Sequence, residues 1–381
     1  MIIFGRKDMK KLIFLLILVS FLLIGCGEKN EVSKKNVLDM SWEEIIKNAD
    51  GQSVSITMWG GSKEINKYYD EFIAPNLKKE YNITLKRVPV TDIRQPLNKL
   101  VIEKEANKTN GSTDVIWLNG ENFKFAKING ILLGKINSKL PNIEEVDPNA
   151  LRSDFGEPVD GLETPLGQAN FIMITDVKNH PRTAAELRSW VIKNPGRFTY
   201  SNPNDFVGNA FIRTLAVDIL GRTDFTVSEM GPVWDYLNKI KPYLWREGKT
   251  YPESSERNHE LFASGEVDFS ISYTPSIVEN KVALGEFPKN AYPYVMNVGS
   301  FTNNHYLTIA KNTQNPEAAL VFINYMISND PQEEKMKSSV WGDGAVTQKL
   351  KEELFTPQLE ELSPEVTEGI KDEWYEKVAK S

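Results

Sequence analysis

The feature that most narrows the fold is an alternation of short apolar runs with helical repeats, which occurs twice along the chain. The run "VSITMW" at 54–59 has the length and β-branched content of a strand, and 62–80 then places Ile65, Tyr68, Tyr69, Phe72, Ile73 and Leu77 at helical spacing. "ITLKRVPV" reads as the next strand, Ile93 to Asn107 as a helix, and "DVIWLN" at 114–119 as an apolar strand leading into another helix. Repeated strand, helix, strand predicts an α/β fold with a mostly parallel sheet flanked by helices. Pro75 is expected to kink or end the helix that carries it. Ser41-Trp42-Glu43-Glu44 has the pattern of a capping box and opens a short helix before the first strand.

The second series follows "TPLGQANFIMITD" at 164–176. It predicts helices near 184–193, 206–220 and 228–240, the strand "VDFSIS" at 267–272, and a helix from Pro275. The strand "HYLTIA" at 305–310 precedes Asn315-Pro316-Glu317, an N-cap followed by proline at the first helical position, in a helix that turns Ala319, Phe322 and Met326 inward. Two α/β units without a long flexible linker predict two lobes around a shared cleft. No internal repeat or low-complexity tract interrupts them.

Before the first unit, Leu12 to Ile24 is a run of 13 uncharged residues preceded by Arg6, Lys7, Lys10 and Lys11. This is the layout of a signal peptide, and it falls short of the about 20 apolar residues that a membrane span needs. Translation can begin at Met1 or at Met9, since "MKKLIFLLILVS" is already a complete signal start. The only cysteine, Cys26, closes the segment. Leu23-Ile24-Gly25-Cys26 resembles the bacterial lipobox, which implies cleavage after residue 25 and a lipid on Cys26, with a buried thiol as the bland alternative. Residues 26–40 then read as a polar tether.

Loss of residues 1–25 removes four basic residues and one acidic residue, leaving 356 residues whose formal charge moves from −7 to −10. With no basic block there is little to attract nucleic acid. A chain without a second cysteine forms no internal disulfide, so its 40% hydrophobic residues must build ordinary cores, and this length suits two.

Four loops join a strand's carboxyl end to a helix start: Trp59-Gly60-Gly61-Ser62, Leu118-Asn119-Gly120-Glu121-Asn122, Tyr200 to Asn209 with Asp205 and Gly208, and Tyr273-Thr274-Pro275-Ser276. In open α/β sheets such loops line the ligand crevice. Gly60-Gly61 ahead of Ser62 suits an anionic or strongly polar ligand group at a helix start, or simply a tight turn. Trp59, Tyr200, Tyr273 and Trp341, near Glu121, Asp205 and Asp343, suit a flat or cationic group; the alternatives are that the aromatics are core and that Glu121 and Asp205 are helix-start residues.

The stretches "SITMWGGSKEINKYYDEF", "DVIWLNGENFKFAKINGILL" and "HYLTIAKNTQNPEAALVFINYMIS" resemble the extracellular solute-binding proteins of ABC importers, from about Trp42 to Val346. The middle stretch and "NPGRFTYSNPNDFVGNAF" resemble the YnjB-type branch, near the thiamine, polyamine and iron binders. The resemblance implies a two-lobed type II periplasmic-binding-protein fold. Its lobes would be 41–167 with 302–340 and 168–301 with 341–381, joined by crossing strands near Gly167–Phe171, Gln168 among them, near Val298–Phe301, and near Trp341. It implies a small-molecule ligand, an ABC permease with its ATPase as partners, a monomer held outside the cytoplasm by lipid on Cys26, and no cofactor. The ligand stays open among a thiamine-like compound, a polyamine and an oxoanion; iron capture would want a cluster of hard ligands that is not readable here.

Catalytic signatures are missing. His180, His259 and His305 are the only histidines and have no metal-ligand spacing, there is no GxSxG elbow, and "GKT" at Gly248 lacks the upstream glycine of a phosphate cradle. No metal site is expected. A carboxylate-pair enzyme in the same cleft, or a sensory receptor that transports nothing, remain the competing readings.

Overall fold

The computed structural model describes residues 36–118, 120–350, 357–359 and 361–380. The signal segment, Cys26 and Asn119 therefore lie outside the described residues. Ahead of Ser41, Val37–Asp39 forms one 3-10 turn, with the Asn36 side chain accepting the Leu38 N–H.

From Ser41 onward the predicted alternation is realised as α1 (Trp42–Ala49), β1 (Ser53–Trp59), α2 (Lys63–Lys67), a π-helical segment Tyr68–Ile73, α3 (Ala74–Tyr81), β2 (Thr84–Val90), α4 (Arg94–Glu105), β3 (Val115–Leu118) and α5 (Glu121–Ile128). The capping box forms in both directions: Glu44 N–H donates to Ser41 Oγ at 3.2 Å and Ser41 N–H to the Glu44 carboxylate at 2.8 Å. Pro75 does not end its helix, which runs on to Tyr81. It sits at the start of α3, directly after the wider π turn, where a missing N–H is tolerated.

A long buried strand, β4 (Glu163–Asn170), runs through Phe171 into β5 (Ile172–Thr175). Next come α6 (Ala184–Lys193), α7 (Phe206–Leu220), α8 (Gly231–Ile240), α9 (Ser255–Ala263), β6 (Phe269–Ser272), α10 (Ile277–Ala283) and β7 (Tyr292–Tyr294). The chain closes with β8 (Ser300–Ile309), α11 (Pro316–Met326), α12 (Asn329–Met336), β9 (Gln358–Leu359) and α13 (Pro364–Trp374).

The first sheet has the order β9-β8-β3-β1-β2, with β4 also paired to β8. β2, β1 and β3 are parallel, whereas β8 runs antiparallel to β3 and β4 with a register shift between His305 and Tyr306. The second sheet, β6-β5-β7, is antiparallel throughout and so departs from the parallel arrangement expected of it. Its centre, β5, continues the crossing strand out of the first sheet, and both neighbours run against it. Alternation along β5 sends Met173 to one core and Ile172 and Ile174 to another, which places hydrophobic layers on both faces. Residues 341–347 do not cross as expected near Trp341: Gly344 pairs with Gln168 and Thr347 with Val146, beside the first sheet. Pro357–Leu359 pairs with Ser300 and Phe301, and α13 joins the core of the second sheet.

Helix α11 buries Ala319, Phe322 and Met326 completely, and each large apolar side chain so buried contributes roughly 1.5–3 kcal/mol. Asn315 is its N-cap residue by position but gives its side chain to Asp114, 3.3 Å away, which also takes Ser55 N–H and Thr313 Oγ1. Among the described residues no helix is long and apolar enough to cross a membrane.

Candidate functional site

A cavity of about 670 Å³ opens at the carboxyl ends of β1, β3 and β6. Its first-sheet wall carries Trp59, Trp117, Gly120, Glu121, Asn122, His305 and Trp341; the facing wall carries Asn204, Phe206, Asn209, Tyr273 and Thr274, with Thr367, Glu368 and Lys371 from α13.

Aromatic rings dominate both walls. Trp117 meets Trp341 at 5.4 Å between centroids and His305 at 5.2 Å, and His305 stacks on Trp341 at 6.0 Å with 25° between planes. Opposite, Phe206 lies 4.8 Å from Tyr273 and 6.0 Å from Phe155. Tyr273 is fixed from behind: its hydroxyl donates to Glu361 at 2.6 Å and accepts from Arg213 at 3.3 Å, while Arg213 pairs with Glu361. Arg213 is wholly buried, its guanidinium 4.8 Å from the Phe301 ring, and burial pulls its pKa down. Burial likewise pushes the Tyr273 hydroxyl up, keeping it a neutral donor.

The polar groups among these rings are short of partners. The side-chain oxygens of Asn122, Asn209 and Asn303 are buried and accept no hydrogen bond among the described residues. Asn209 Nδ2 donates to the Thr367 carbonyl at 2.9 Å, which leaves its oxygen as the unused end. Three orphan acceptors in one cavity call for a ligand rich in N–H or O–H donors. At the mouth, Glu121 lies 3.8 Å from Arg94 and Lys371 2.7 Å from Glu368.

Of the residues singled out in the sequence, Trp59, Gly120, Glu121, Asn122, Tyr273, Thr274 and Trp341 meet at this cavity. Asn119 lies outside the described residues, and the others that are described lie elsewhere. Gly60 N–H donates to the Val90 carbonyl, a Cβ on Gly60 would strike Pro89, and one on Gly61 would strike the Trp59 indole, so both glycines serve close packing. Ser62 caps α2 through the Ile65 N–H. Tyr200 is completely buried, accepting from Trp374 Nε1 at 3.0 Å. Asp205 is the N-cap of α7, bonded to Gly208 N–H and the Ser201 hydroxyl, and a Cβ on Gly208 would lie 2.2 Å from the Ser201 carbonyl.

Gln168, Ser276 and Asp343 line a separate cavity of about 730 Å³. Asp343 is buried against Lys335 at 3.3 Å and His305 at 3.4 Å, so it anchors the wall of the main cavity from outside it. Of the other histidines, His180 bonds the Tyr292 hydroxyl, and buried His259 contacts the Ile271 carbonyl, with burial pulling its pKa down to about 4. Among the described residues no cluster of His, Cys, Asp and Glu is suited to a metal ion.

Sequence reasoning passed over Trp117, Phe155 and Asn303, set His305 aside with the other histidines, and reached Phe206 and Asn209 only as part of the loop Tyr200 to Asn209. Trp117 and Phe206 carry only the apolar signal of an ordinary strand or helix. Asn303 and His305 alternate along β8 two residues apart, which is the spacing of side chains on one strand face and was the available clue.

The sequence profile of the bacterial extracellular solute-binding protein family matches residues 72–365. Protein YnjB of Escherichia coli (strain K12) is 34% identical over 360 residues, covering 87% of this chain and 92% of that one. Among solved structures, the spermidine/putrescine ABC transporter substrate-binding protein PotD of Streptococcus pneumoniae superposes with a TM-score of 0.61 at 16% identity, covering 84% of this chain and 88% of that one. A periplasmic thiamin binding protein gives 0.54 at 17% identity, covering 85% and 94%. At such identities the structural likeness speaks for the fold, a type II periplasmic-binding-protein architecture.

Proposed function

Because this chain belongs to the bacterial extracellular solute-binding protein family, we propose that it is the lipid-anchored receptor of an ABC importer, which captures a small solute between two lobes and hands it to a membrane permease driven by a separate ATPase. Its work lies outside the cytoplasm, where the family operates. The observation that carries the reading is the cavity of about 670 Å³, walled by aromatic rings from elements of both sheets and lined by asparagine oxygens that lack partners among the described residues.

The contact set is Trp59, Glu121, Asn122, Tyr273, Thr274 and Trp341, joined by Trp117, Phe206 and Asn209. Rings and orphan acceptors together suit a flat solute that carries N–H donors or a positive charge, and relatives of this fold are named for thiamin and for spermidine and putrescine. Lobe 1 is taken as 41–167 with 302–347, since Gly344 and Thr347 pair beside the first sheet, and lobe 2 as 168–301 with 357–380. The protein acts as a monomer, with lipid on Cys26 as its tether.

Mass spectrometry of material released on denaturing the purified protein tests the function. A single small solute, recovered unaltered and rebinding to the refolded protein, is the expected result. Recovery of a product formed at a protein-dependent rate would replace the receptor with an enzyme.

A further inference from the structure

Phe155 stands at the tip of the hairpin formed by Ser153–Asp154 and Glu157–Pro158, with φ of 47°. In this left-handed region a Cβ crowds the backbone at a cost of roughly 1–2 kcal/mol, which a bulky side chain accepts only where its surroundings hold it there. The ring packs near Phe206 and over Gly120, where even a Cβ would come within 3.2 Å of it. Phe155 and Asn303 also line a second, adjoining cavity of about 250 Å³, so the two spaces share these side chains as a common wall.

The adjoining cavity has a different chemistry. Its lining includes Asp147, Asp154, Tyr306 and Glu361 in place of indole rings. Glu361 is matched by Arg213, and Asp147 accepts the Asn149 N–H at 3.0 Å. Asp154, only 2% exposed, accepts the Gly120 N–H at 2.5 Å and pairs with no cationic side chain among the described residues. Asn303 is 6% exposed, and its side-chain oxygen has no partner among the described residues. A carboxyl without a counter-ion and an orphan acceptor thus face the same small space.

We propose that this adjoining cavity is a second subsite that receives a cationic end of the captured solute, an ammonium or amidinium group, with Asp154 as its counter-ion and Asn303 as an acceptor at the entrance. The proposal rests on the receptor reading above and extends it to the chemistry of one end of the solute. A buried carboxylate without a partner is costly, and the protein meets that cost with a proton: burial pushes Asp154 up to about 8. A cationic N–H group supplies both the missing charge and the missing donors. An anionic end would meet the carboxyl groups of Asp154, Asp147 and Glu361 in the same lining.

Tryptamine, its neutral counterpart tryptophol and the anionic indole-3-propionate form a probe series that shares one flat head and differs in the charge of the tail. Calorimetric titration of the purified protein, stripped of bound solute, should show tryptamine binding at least tenfold more tightly than the other two. In Asp154→Asn, which keeps an acceptor for the Gly120 N–H, that preference should fall to near unity. Asn303→Leu, checked for folding by circular dichroism, should reduce it as well. A wild-type preference near unity, or one retained in both variants, overturns the subsite. So does failure of tryptamine to bind at millimolar concentration; recovery of a different solute, unaltered, would then leave the receptor reading standing, while recovery of none would remove that too.

Discussion

Trp59 and Tyr273 face the same cavity from opposite walls but are held in different ways, and their variants should separate binding from stability. Trp59 is 49% exposed, so Trp59→Ala should weaken binding of the recovered solute more than tenfold, about 1.4 kcal/mol, with little change in melting temperature. Tyr273 is 8% exposed and hydrogen-bonded to Glu361 and Arg213. Tyr273→Phe should therefore destabilise the fold by about 1–3 kcal/mol in urea denaturation, because a buried ion pair loses a donor. Asp154 gives a pH signature. Its carboxyl holds a proton up to about 8 in the folded chain against the usual 3.8, so its contribution to stability is full below about pH 4 and is lost as the pH rises through about 8. Asp154→Asn does not titrate and should gain on the wild type across that window by at most about 1.4 kcal/mol per pH unit. Urea midpoints for the two proteins at acid and mildly alkaline pH would measure this, and a constant difference would mean that Asp154 is solvated.

At the scale of elements, the proposed subsite would explain why the hairpin that carries Phe155 holds a bulky residue in the left-handed region. Asparagine tolerates the left-handed conformation, so Phe155→Asn should leave the melting temperature unchanged or raise stability by up to about 1 kcal/mol, while affinity for the recovered solute falls. Loss of stability with unchanged affinity would return Phe155 to a packing role. This hairpin was invisible in the sequence, since "SDFGEP" has no periodicity and its residues gain meaning only against Gly120 and Phe206. The helices 184–193 and 206–220 were legible to the residue because local chemistry sets their ends: Thr183 and Asp205 cap the starts, and Gly221 closes the second at φ of 70°. Aromatic roles were not legible in the same way. Tyr200 and Trp117 both occupy apolar runs, and only tertiary packing buries Tyr200 under Trp374 while turning Trp117 toward open space. Gly60 and Gly61 looked like a polar cradle because a glycine pair reads alike whether it makes room for a ligand or, as here, for Pro89 and an indole.

At the scale of the whole molecule, the proposed receptor would close two lobes around solute, and the strands that join them would then have to bend without losing the cavity wall. The wall is tied to a crossing strand at one crowded point. A Cβ on Gly167 would lie 1.7 Å from Asp343 Oδ2, and Asp343 in turn holds wholly buried Lys335 at 3.3 Å and His305 at 3.4 Å, beside the Trp341 ring. Gly167→Ala must displace that carboxylate and leave the Lys335 ammonium without its counter-charge, a change worth roughly 3–5 kcal/mol for a broken buried pair. Gly231→Ala is the matched control: a Cβ there meets nothing within 4 Å, its backbone is not left-handed, and the loss of unfolded-state freedom should be neutral or mildly stabilising. Small-angle scattering of the wild type and of Gly231→Ala should show a smaller radius of gyration when the recovered solute is added, because a ligand that touches both lobes favours the closed arrangement. Gly167→Ala, measured at a temperature where circular dichroism shows it folded, should bind more weakly and contract less at equal solute concentration. Full contraction at wild-type affinity in Gly167→Ala would show that closure does not depend on the Asp343 anchor, and no contraction in any of the three proteins would separate solute binding from lobe closure altogether.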